Sequence, residues 1–128
     1  MSLILFLLAG VCFAIIIWAW LIYKKKPLSP SQKQAFLTEV DKISQKPVFE
    51  QILAYDIVLH RLLKTQWYSG SLGEILKKPL PYSKEVINEL WRLHKARNTF
   101  AHEIDAFKSE TLKSMNHDFQ KILKILLR

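Results

Sequence analysis

The stretch WRLHKARNTFAHE, residues 91–103, decides how the rest of the chain is interpreted. Apolar residues recur through it at helical spacing, from Leu90 and Leu93 to Ala101 and Ile104. The same stretch holds two arginines, an asparagine and two histidines, which are side chains able to bind phosphate or to move protons. It is therefore predicted to be a helix of a helical protein that also carries an unusual density of polar groups.

Arg97 lies on this helix at a position that would otherwise face the core, between Leu93 and Ala101. Because a buried guanidinium without a partner costs several kcal/mol, Arg97 requires a carboxylate, an anion or an interface. Asp56 is the candidate partner within the chain. A phosphate is the functional candidate, since the guanidinium fork fits phosphate oxygens in pairs.

The neighbouring stripe of the same helix carries Trp91, His94, Asn98 and His102. Residues five apart in an unbroken helix diverge by about 140°. Arg97 and His102 of one chain therefore do not automatically face one small ligand. Either the helix loosens near His102, or two helices from two subunits combine their residues in a shared cleft. The second option predicts a two-fold dimer built on this helix.

The other segments are also predicted to be helical. Helices are expected over residues 31–46, 47–66 and 84–103 and from Ser109 onward, with one short turn between Glu74 and Lys78. The second and third of these begin at Pro47 and after Ser83, and the first begins at a serine cap. Candidate core residues recur at helical spacing; they are Phe36, Val40, Ile43, Val48, Phe49, Ile52, Leu53, Tyr55, Ile57, Leu59, Leu62, Leu63, Val86, Ile87, Leu90, Trp91, Leu112, Met115, Phe119, Ile122 and Leu126.

Residues 3–22 form an uncharged apolar segment that is predicted to be a transmembrane helix contacting the lipid bilayer. Twenty residues at a helical rise span about 30 Å, the thickness of the hydrocarbon core of a bilayer. Trp18, Trp20 and Tyr23 suit the headgroup zone, and residues 24–26 are all lysine. The positive-inside rule then predicts an N-terminus outside the membrane and a cytoplasmic C-terminal domain.

Three alternatives fit this segment less well than a transmembrane anchor does. A cleaved signal peptide would need a basic leading region, a shorter apolar core and a small-residue cleavage site. A lipoprotein signal would need a cysteine directly after the run Leu8-Ala9-Gly10, but Val11 precedes Cys12. A buried core helix remains an alternative of the right composition. The expected organisation is an anchor over residues 1–26, a linker over 27–30, and over 31–128 an antiparallel four-helix bundle, so the fold class is all-α.

Charge and cysteine content narrow the classes of partner. Nineteen Lys and Arg oppose eleven Asp and Glu, and without the lysines 24–26 the remainder is only mildly basic. That balance is compatible with nucleic acid, with anionic lipid or with an ordinary solvated surface. The single cysteine excludes an intrachain disulfide, and no Cys/His cluster has zinc spacing. No metal or cofactor is expected, and Asp56 and His60 are interpreted first as a solvated flank of their helix.

Residues 97–102 resemble the signature of the HEPN superfamily of helical nucleotide-binding domains, which includes many toxin, antiphage and RNA-processing ribonucleases. That signature is an arginine followed by four to six residues and a histidine, with a polar residue, often asparagine, directly after the arginine. Arg97, Asn98 and His102 fit it with four intervening residues. The framing residues also resemble small bacterial HEPN-like domains; they are Leu90, Trp91, His94, Ala101 and Glu103. The resemblance covers roughly residues 31–127.

The resemblance implies a metal-independent endoribonuclease that acts as a homodimer, of a toxin, defence or stress type, with a protein antidote or partner. His102 would take or give a proton at the ribose 2′-hydroxyl. Arg97 would stabilise the negative charge of the phosphorane. Asn98 would orient His102 or bond the phosphate, and the product would carry a 2′,3′-cyclic phosphate.

Other functions stay open at this point. Many HEPN-like domains are non-catalytic, and the same residues would then stabilise a bundle that dimerises or that binds nucleotides or a partner. Arg97 would pair with an acidic residue, and His102 would cap a helix end. His94 is interpreted as a residue of the helix flank, or else as a supporting site residue together with Asp56. A lipid-binding bundle is the third hypothesis, but lysines outside residues 24–26 are scattered rather than clustered.

Overall fold

The computed structural model describes residues 2–23, 26–66 and 68–128, and all regular structure within them is helical. Six α-helices follow one another along the chain: α1 (Ser2–Tyr23), α2 (Pro30–Ile43), α3 (Val48–Thr65), α4 (Leu72–Leu76), α5 (Lys84–His102) and α6 (Ser109–Leu126). A single 3₁₀ turn, Ile104–Ala106, separates the last two. The predicted all-α fold class is thus confirmed at the level of helix content.

Helix α1 is long and apolar enough, over Leu3–Leu21, to cross a membrane. None of that span is buried within the protein, and its large apolar side chains are exposed. A soluble core helix would bury such side chains, so this exposure favours the anchor over the buried-helix alternative. Lys24 and Lys25 of the predicted basic cluster lie outside the described residues, as does the side chain of Tyr23.

The core is formed by α2, α3, α5 and α6, with α4 packed on α5. Helix α3 is central because it contacts α2, α5 and α6. Its Tyr55 ring stacks on Phe119 of α6, with ring centres 6.0 Å apart. Buried leucine and isoleucine side chains surround this pair, and most predicted core residues of α2, α3 and α6 belong to the same buried cluster.

Helix starts follow local capping chemistry, and α2 begins one residue before the predicted residue 31. Ser29 caps α2: its Oγ accepts a hydrogen bond from the Gln32 amide, and the Gln32 side chain accepts one from the Ser29 amide. Pro30 then occupies the first helical turn, where its missing N–H costs nothing. Ser83 caps α5 as predicted.

The predicted linker, residues 27–30, overlaps the first helix of the bundle at its downstream end. Helix α2 already begins at Pro30. Leu28 is only 8% exposed and belongs to the core cluster. The apolar side chain of Leu28 therefore fixes the start of the bundle against its core, which a free spacer could not do.

The predicted apolar face of α3 is too wide. Phe49 and Ile57 are 56% and 60% exposed, whereas Val58, which the pattern did not single out, is buried. Phe100 of α5 is buried and packs against Phe107, while Ala101 of α5 and Ile104 of the following 3₁₀ turn are exposed. Neighbouring helices cover one side of each apolar stripe and leave its far edge open.

Candidate functional site

The polar residues of α5 are held in place by the apolar residues between them. Leu90, Leu93 and Phe100 are buried, which fixes the rotation of α5 about its axis. The intervening positions His94, Arg97 and Asn98 are thereby placed at the junction with α3. Their spacing of three and four residues puts all three side chains on adjoining stripes of one helix.

Asp56 of α3 meets these side chains. Its Oδ1 lies 3.0 Å from Nδ1 of His94, and its Oδ2 lies 3.3 Å from Nε of Arg97. The contact predicted between Asp56 and Arg97 is therefore present. The interpretation of Asp56 as a solvated flank is wrong, because the residue is only 6% exposed. A carboxylate so deeply placed needs cationic or hydrogen-bonding partners, and α5 supplies both.

Asn98 links the other two side chains of α5. Its Nδ2 lies 3.3 Å from Nε2 of His94, and its Oδ1 accepts a hydrogen bond of 3.0 Å from Nη1 of Arg97. Asp56, His94, Asn98 and Arg97 thus form a closed cycle of contacts, named here the polar ring. The orientation of His102 by Asn98, which the family resemblance implied, is not part of this ring.

The hydrogen-bond donors and acceptors of the polar ring are consistent with one protonation state. The carboxylate of Asp56 only accepts, so Nδ1 of His94 carries the proton that is donated to it. In a neutral imidazole Nε2 then accepts from the Asn98 amide, which leaves the Asn98 oxygen to accept from Arg97. With His94 neutral, the charges of Asp56 and Arg97 cancel. The charges of the ring are therefore balanced within the chain, although Nε of Arg97 lacks an aligned hydrogen bond.

Arg97 contacts Asp56 through an ion pair rather than through an aligned hydrogen bond. Its Nε lies at ion-pair distance from Asp56 but is buried without an aligned hydrogen bond. Its Nη2 makes no hydrogen bond to any described residue, and the side chain remains 31% exposed. The guanidinium therefore has an anchored edge and an edge open to solvent, where an anion could bind.

His102 is the last residue of α5 and is exposed. The helix is regular through this residue, and the backbone leaves helical geometry only at Glu103, with φ −136° and ψ 79°. The suggested loosening of the helix near His102 is therefore wrong. Arg97 and His102 of one chain diverge by about 140° around α5. No hydrogen bond or ion pair joins His102 to the polar ring.

His94 and His60 are both predicted to lie on the flanks of their helices, and both contact other elements of the bundle. His94, interpreted as a flank residue or a supporting one, is 14% exposed and is the member of the polar ring that contacts both Asp56 and Asn98. Its Nε2 lies next to Gly73 of α4, where an added Cβ would approach it to 3.7 Å. His60 is half-buried and its Nε2 lies 2.8 Å from the carbonyl oxygen of Gly70, so it joins α3 to the loop before α4.

The sequence did contain a signal for the polar ring. His94, Arg97 and Asn98 follow an i, i+3, i+4 pattern, and Asp56 lies at the edge of the apolar stripe of α3. The pattern could not reveal which helix faces which, so only the Asp56–Arg97 contact was predicted. No group of three or more His, Cys, Asp or Glu side chains suited to a metal ion occurs among the residues that the structure describes.

Comparison with protein-family models, with curated proteins and with solved structures finds no match to this chain. The functional argument therefore depends on the geometry around Arg97 and on the resemblance of residues 97–102 to a known signature.

Proposed function

We propose that this protein is a membrane-anchored, HEPN-like helical bundle that acts as a metal-independent endoribonuclease in homodimeric form. The observation that carries the proposal is the partly exposed guanidinium of Arg97, paired with Asp56 and bonded to Asn98, together with an exposed His102 five residues further along the same helix. A fixed cation can stabilise charge on the phosphorane of RNA transesterification, and a solvent-accessible imidazole can transfer the proton of the 2′-hydroxyl.

Contacts between helices support the antiparallel four-helix arrangement. Glu39 of α2 pairs with Arg61 of α3. Nearer the connection between these two helices, the carbonyl oxygen of Ser44 accepts a hydrogen bond from the Gln51 side chain. On α2 and α6, the partners also run in opposite senses: Lys33 bonds the carbonyl of Arg128, and Asp41 approaches Lys124 at 3.6 Å. Arg92 of α5 pairs with Asp118 of α6 across the connection at Ile104–Ala106.

The proposed reaction needs no metal. An imidazole, that of His102, removes the proton of a ribose 2′-hydroxyl, whose oxygen attacks the adjacent phosphorus. Arg97 stabilises the negative charge that accumulates on the phosphorane oxygens. The 5′-oxygen of the next nucleotide leaves and takes a proton from water, while the His102 imidazolium returns its proton to solvent, so a 2′,3′-cyclic phosphate and a 5′-hydroxyl remain. Asn98 and Asp56 act as positioning residues, since they hold the guanidinium.

A homodimer would bring Arg97 of one subunit near His102 of the other. The divergence of these residues around one regular helix supports this part of the proposal. An exposed apolar stripe on α3 offers an interface: Phe49, Leu53 and Ile57 recur every four residues, and two of them are more than half exposed. It lies on the helix that contributes Asp56, so pairing there would bury surface close to the site.

Helix α1 would anchor the dimer in the bilayer with its N-terminus outside and the bundle in the cytoplasm. The lysines at 24–26 support this orientation through the positive-inside rule. Protease added to sealed inside-out vesicles should then digest the bundle, and protease added to spheroplasts should not. The reverse pattern would contradict the orientation.

The proposal is tested with the full chain in detergent, single-stranded RNA and EDTA. His102→Ala should lower the cleavage rate by a factor of 10² or more, as loss of a general acid or base does. Arg97→Ala should lower it by a similar factor, because charge on the phosphorane is no longer balanced. His117→Ala is the matched control, since that histidine is exposed on α6 away from the signature. Equal cleavage by wild type and His102→Ala would contradict the proposal.

A non-catalytic module for dimerisation or for binding of a nucleotide or partner is the second candidate. It is favoured by the polar ring, whose charges and hydrogen bonds are largely satisfied within the chain. RNA left intact by the wild type in EDTA, together with a lowered melting temperature of Arg97→Ala, would select this function over the nuclease.

A further inference from the structure

An open groove of about 600 Å³ lies on α5 and is lined by Asn88, Trp91, Arg92 and Lys95. None of these residues belongs to the polar ring. The groove is nevertheless connected to it, because the Trp91 ring meets the His94 ring edge-on, with ring centres 6.3 Å apart. A group bound in this groove would therefore lie against a side chain that is already fixed by Asp56 and Asn98.

Trp91 is an immobilised aromatic surface. It is half-buried and packs against the hydrophobic core, while His94 holds it from the side. The indole thus loses little freedom when a flat ligand binds on its open side. The Lys95 ammonium lies 5.8 Å from the centre of the Trp91 ring, as expected for a cation–π contact one turn further along α5.

The two cations of the groove differ in their partners. Arg92 donates to Glu89 at 2.9 and 2.6 Å and to Asp118 at 2.6 Å, so carboxylates already balance its charge. Lys95 is exposed and forms no ion pair with a described residue. The groove therefore presents the Trp91 ring beside the Lys95 ammonium, which is available to bind an anionic ligand.

The groove points along α5 toward the candidate catalytic residue. Trp91, Lys95, Asn98 and His102 follow one another in steps of four, three and four residues, so they form a single strip on the helix. At a helical rise of 1.5 Å per residue, Trp91 and His102 are separated by about 16 Å along the axis. A strand bound at both points would have to be extended.

We propose that the groove is a subsite for one unpaired nucleotide of a single-stranded nucleic acid, with the base stacked on Trp91 and a phosphate bound by Lys95. The inference rests on the proposed function, since the strand is taken to be the RNA cut at His102. Stacking of a base on an aromatic ring is stronger than an exposed cation–π contact, so the base can replace the ammonium. Lys95 is then free to bind the phosphate. A duplex hides its base faces, so the ligand class is unpaired RNA of any sequence.

Binding is measured with the full chain in detergent, carrying His102→Ala to prevent cleavage, and a fluorescent oligouridylate in EDTA. Trp91→Ala should weaken binding about tenfold without altering its salt dependence, because stacking carries no charge. Trp91→Phe should retain most of the affinity. Lys95→Gln should reduce the slope of log K against log salt by about 0.7, the value for one phosphate contact on a single strand. Lys113→Gln, an exposed lysine on α6, is the matched control.

A strand that lacks its bases isolates the stacking contribution. It should bind the parent protein more weakly than oligouridylate does, and Trp91→Ala should remove that difference. Unchanged affinity of Trp91→Ala alongside RNA binding by the parent would overturn the subsite and leave the proposed nuclease intact. Binding that depends on Trp91 in a wild type that does not cut RNA would support the subsite and overturn the nuclease. A polyglutamate peptide that binds as tightly and shows the same losses would assign the groove to acidic peptides and overturn the inference.

Discussion

Asp56 is the residue on which the polar side chains of α5 depend. Its two oxygens contact different partners, Oδ1 with His94 and Oδ2 with Arg97, so both carboxylate oxygens are needed. The carboxylate is 6% exposed, whereas the Arg97 side chain is 31% exposed. The pair therefore lies between a surface salt bridge, worth ~0–1 kcal/mol, and a fully buried one, whose disruption costs ~3–5 kcal/mol.

Asp56→Asn should destabilise the fold by about 2 kcal/mol, an intermediate value between those two limits. The asparagine side chain lacks the negative charge that balances Arg97. Its N–H group also faces either Nδ1 of His94 or Nε of Arg97, both of which are donors. The measurement is the thermal unfolding of the full chain in detergent. Asp41→Asn is the matched control, since Asp41 pairs with Lys124 at an exposed position of α2 and its loss should cost under about 1 kcal/mol.

A second variant separates charge balance from packing. Arg97→Met in the Asp56→Asn background should recover part of the lost stability, since no cation is then left without its counterion. Losses that simply add in the double variant would contradict the proposed coupling between Asp56 and Arg97.

At the scale of the element, α4 is too short to be stable on its own, with five residues from Leu72 to Leu76. Two features hold it. Leu72, Ile75 and Leu76 are buried in the core, and Ser71 and Glu74 form a capping box at its start. Gly70 precedes the box with φ 104°, and a Cβ there would approach Glu74 Oε2 to 2.8 Å. Only glycine lets the Glu74 carboxylate fold back over the loop at this point.

The capping box should make α4 sensitive to acid. Hydrogen bonds from the backbone and side chain of Ser71 hold the pKa of Glu74 below its ordinary value of 4.5. A lowered pKa in the folded state stabilises the fold above the unfolded value, and this contribution is lost as pH falls through the folded value. Amide hydrogen exchange over residues 71–78 should therefore accelerate as the pH is lowered below about 4.5, after correction for intrinsic rates.

Two variants check the origin of this acid response. Glu74→Gln should flatten it. Ser71→Ala should only weaken it, because the backbone amide of residue 71 can still donate to the Glu74 carboxylate. The double variant should then behave like Glu74→Gln. An acid response that persists in Glu74→Gln would place its cause elsewhere.

At the scale of the whole molecule, the question is how α5 residues that diverge around one helix could serve one reaction. The proposed dimer answers it if Arg97 and His102 act from different subunits. The exposed apolar side chains of Phe49 and Ile57 on α3 would then be buried in both subunits if the two-fold axis passes near them.

The dimer predicts complementation between inactive chains. Arg97→Ala and His102→Ala chains, each inactive alone, should regain up to about half of the wild-type sites' activity in a mixed dimer, because one of its two clefts has both residues. The measurement is RNA cleavage by co-expressed, doubly tagged heterodimers. Ile57→Glu in both chains should abolish the recovery and yield monomers, since a charge would be buried at the interface. Full activity of an Ile57→Glu monomer would contradict the shared cleft.

Several features follow from the sequence by itself. Helical periodicity predicted the helices α2, α3, α5 and α6 to within a few residues, and Ser83 was correctly predicted to cap α5. The uncharged run in α1 specified a helix long enough to cross a membrane. These features depend on hydrogen bonds and side-chain spacing within a few residues, so the local sequence suffices for them.

Only the tertiary structure decided which edge of each apolar stripe is covered. It buried Val58 and Phe100, exposed Phe49 and Ile57, and moved Asp56 from a presumed solvated flank into contact with His94 and Arg97. The periodic pattern of one helix gives the direction of its apolar face but not the position of the helix opposite. Burial at the margin of a face depends on that position, and the polar ring lies at such a margin between α3 and α5.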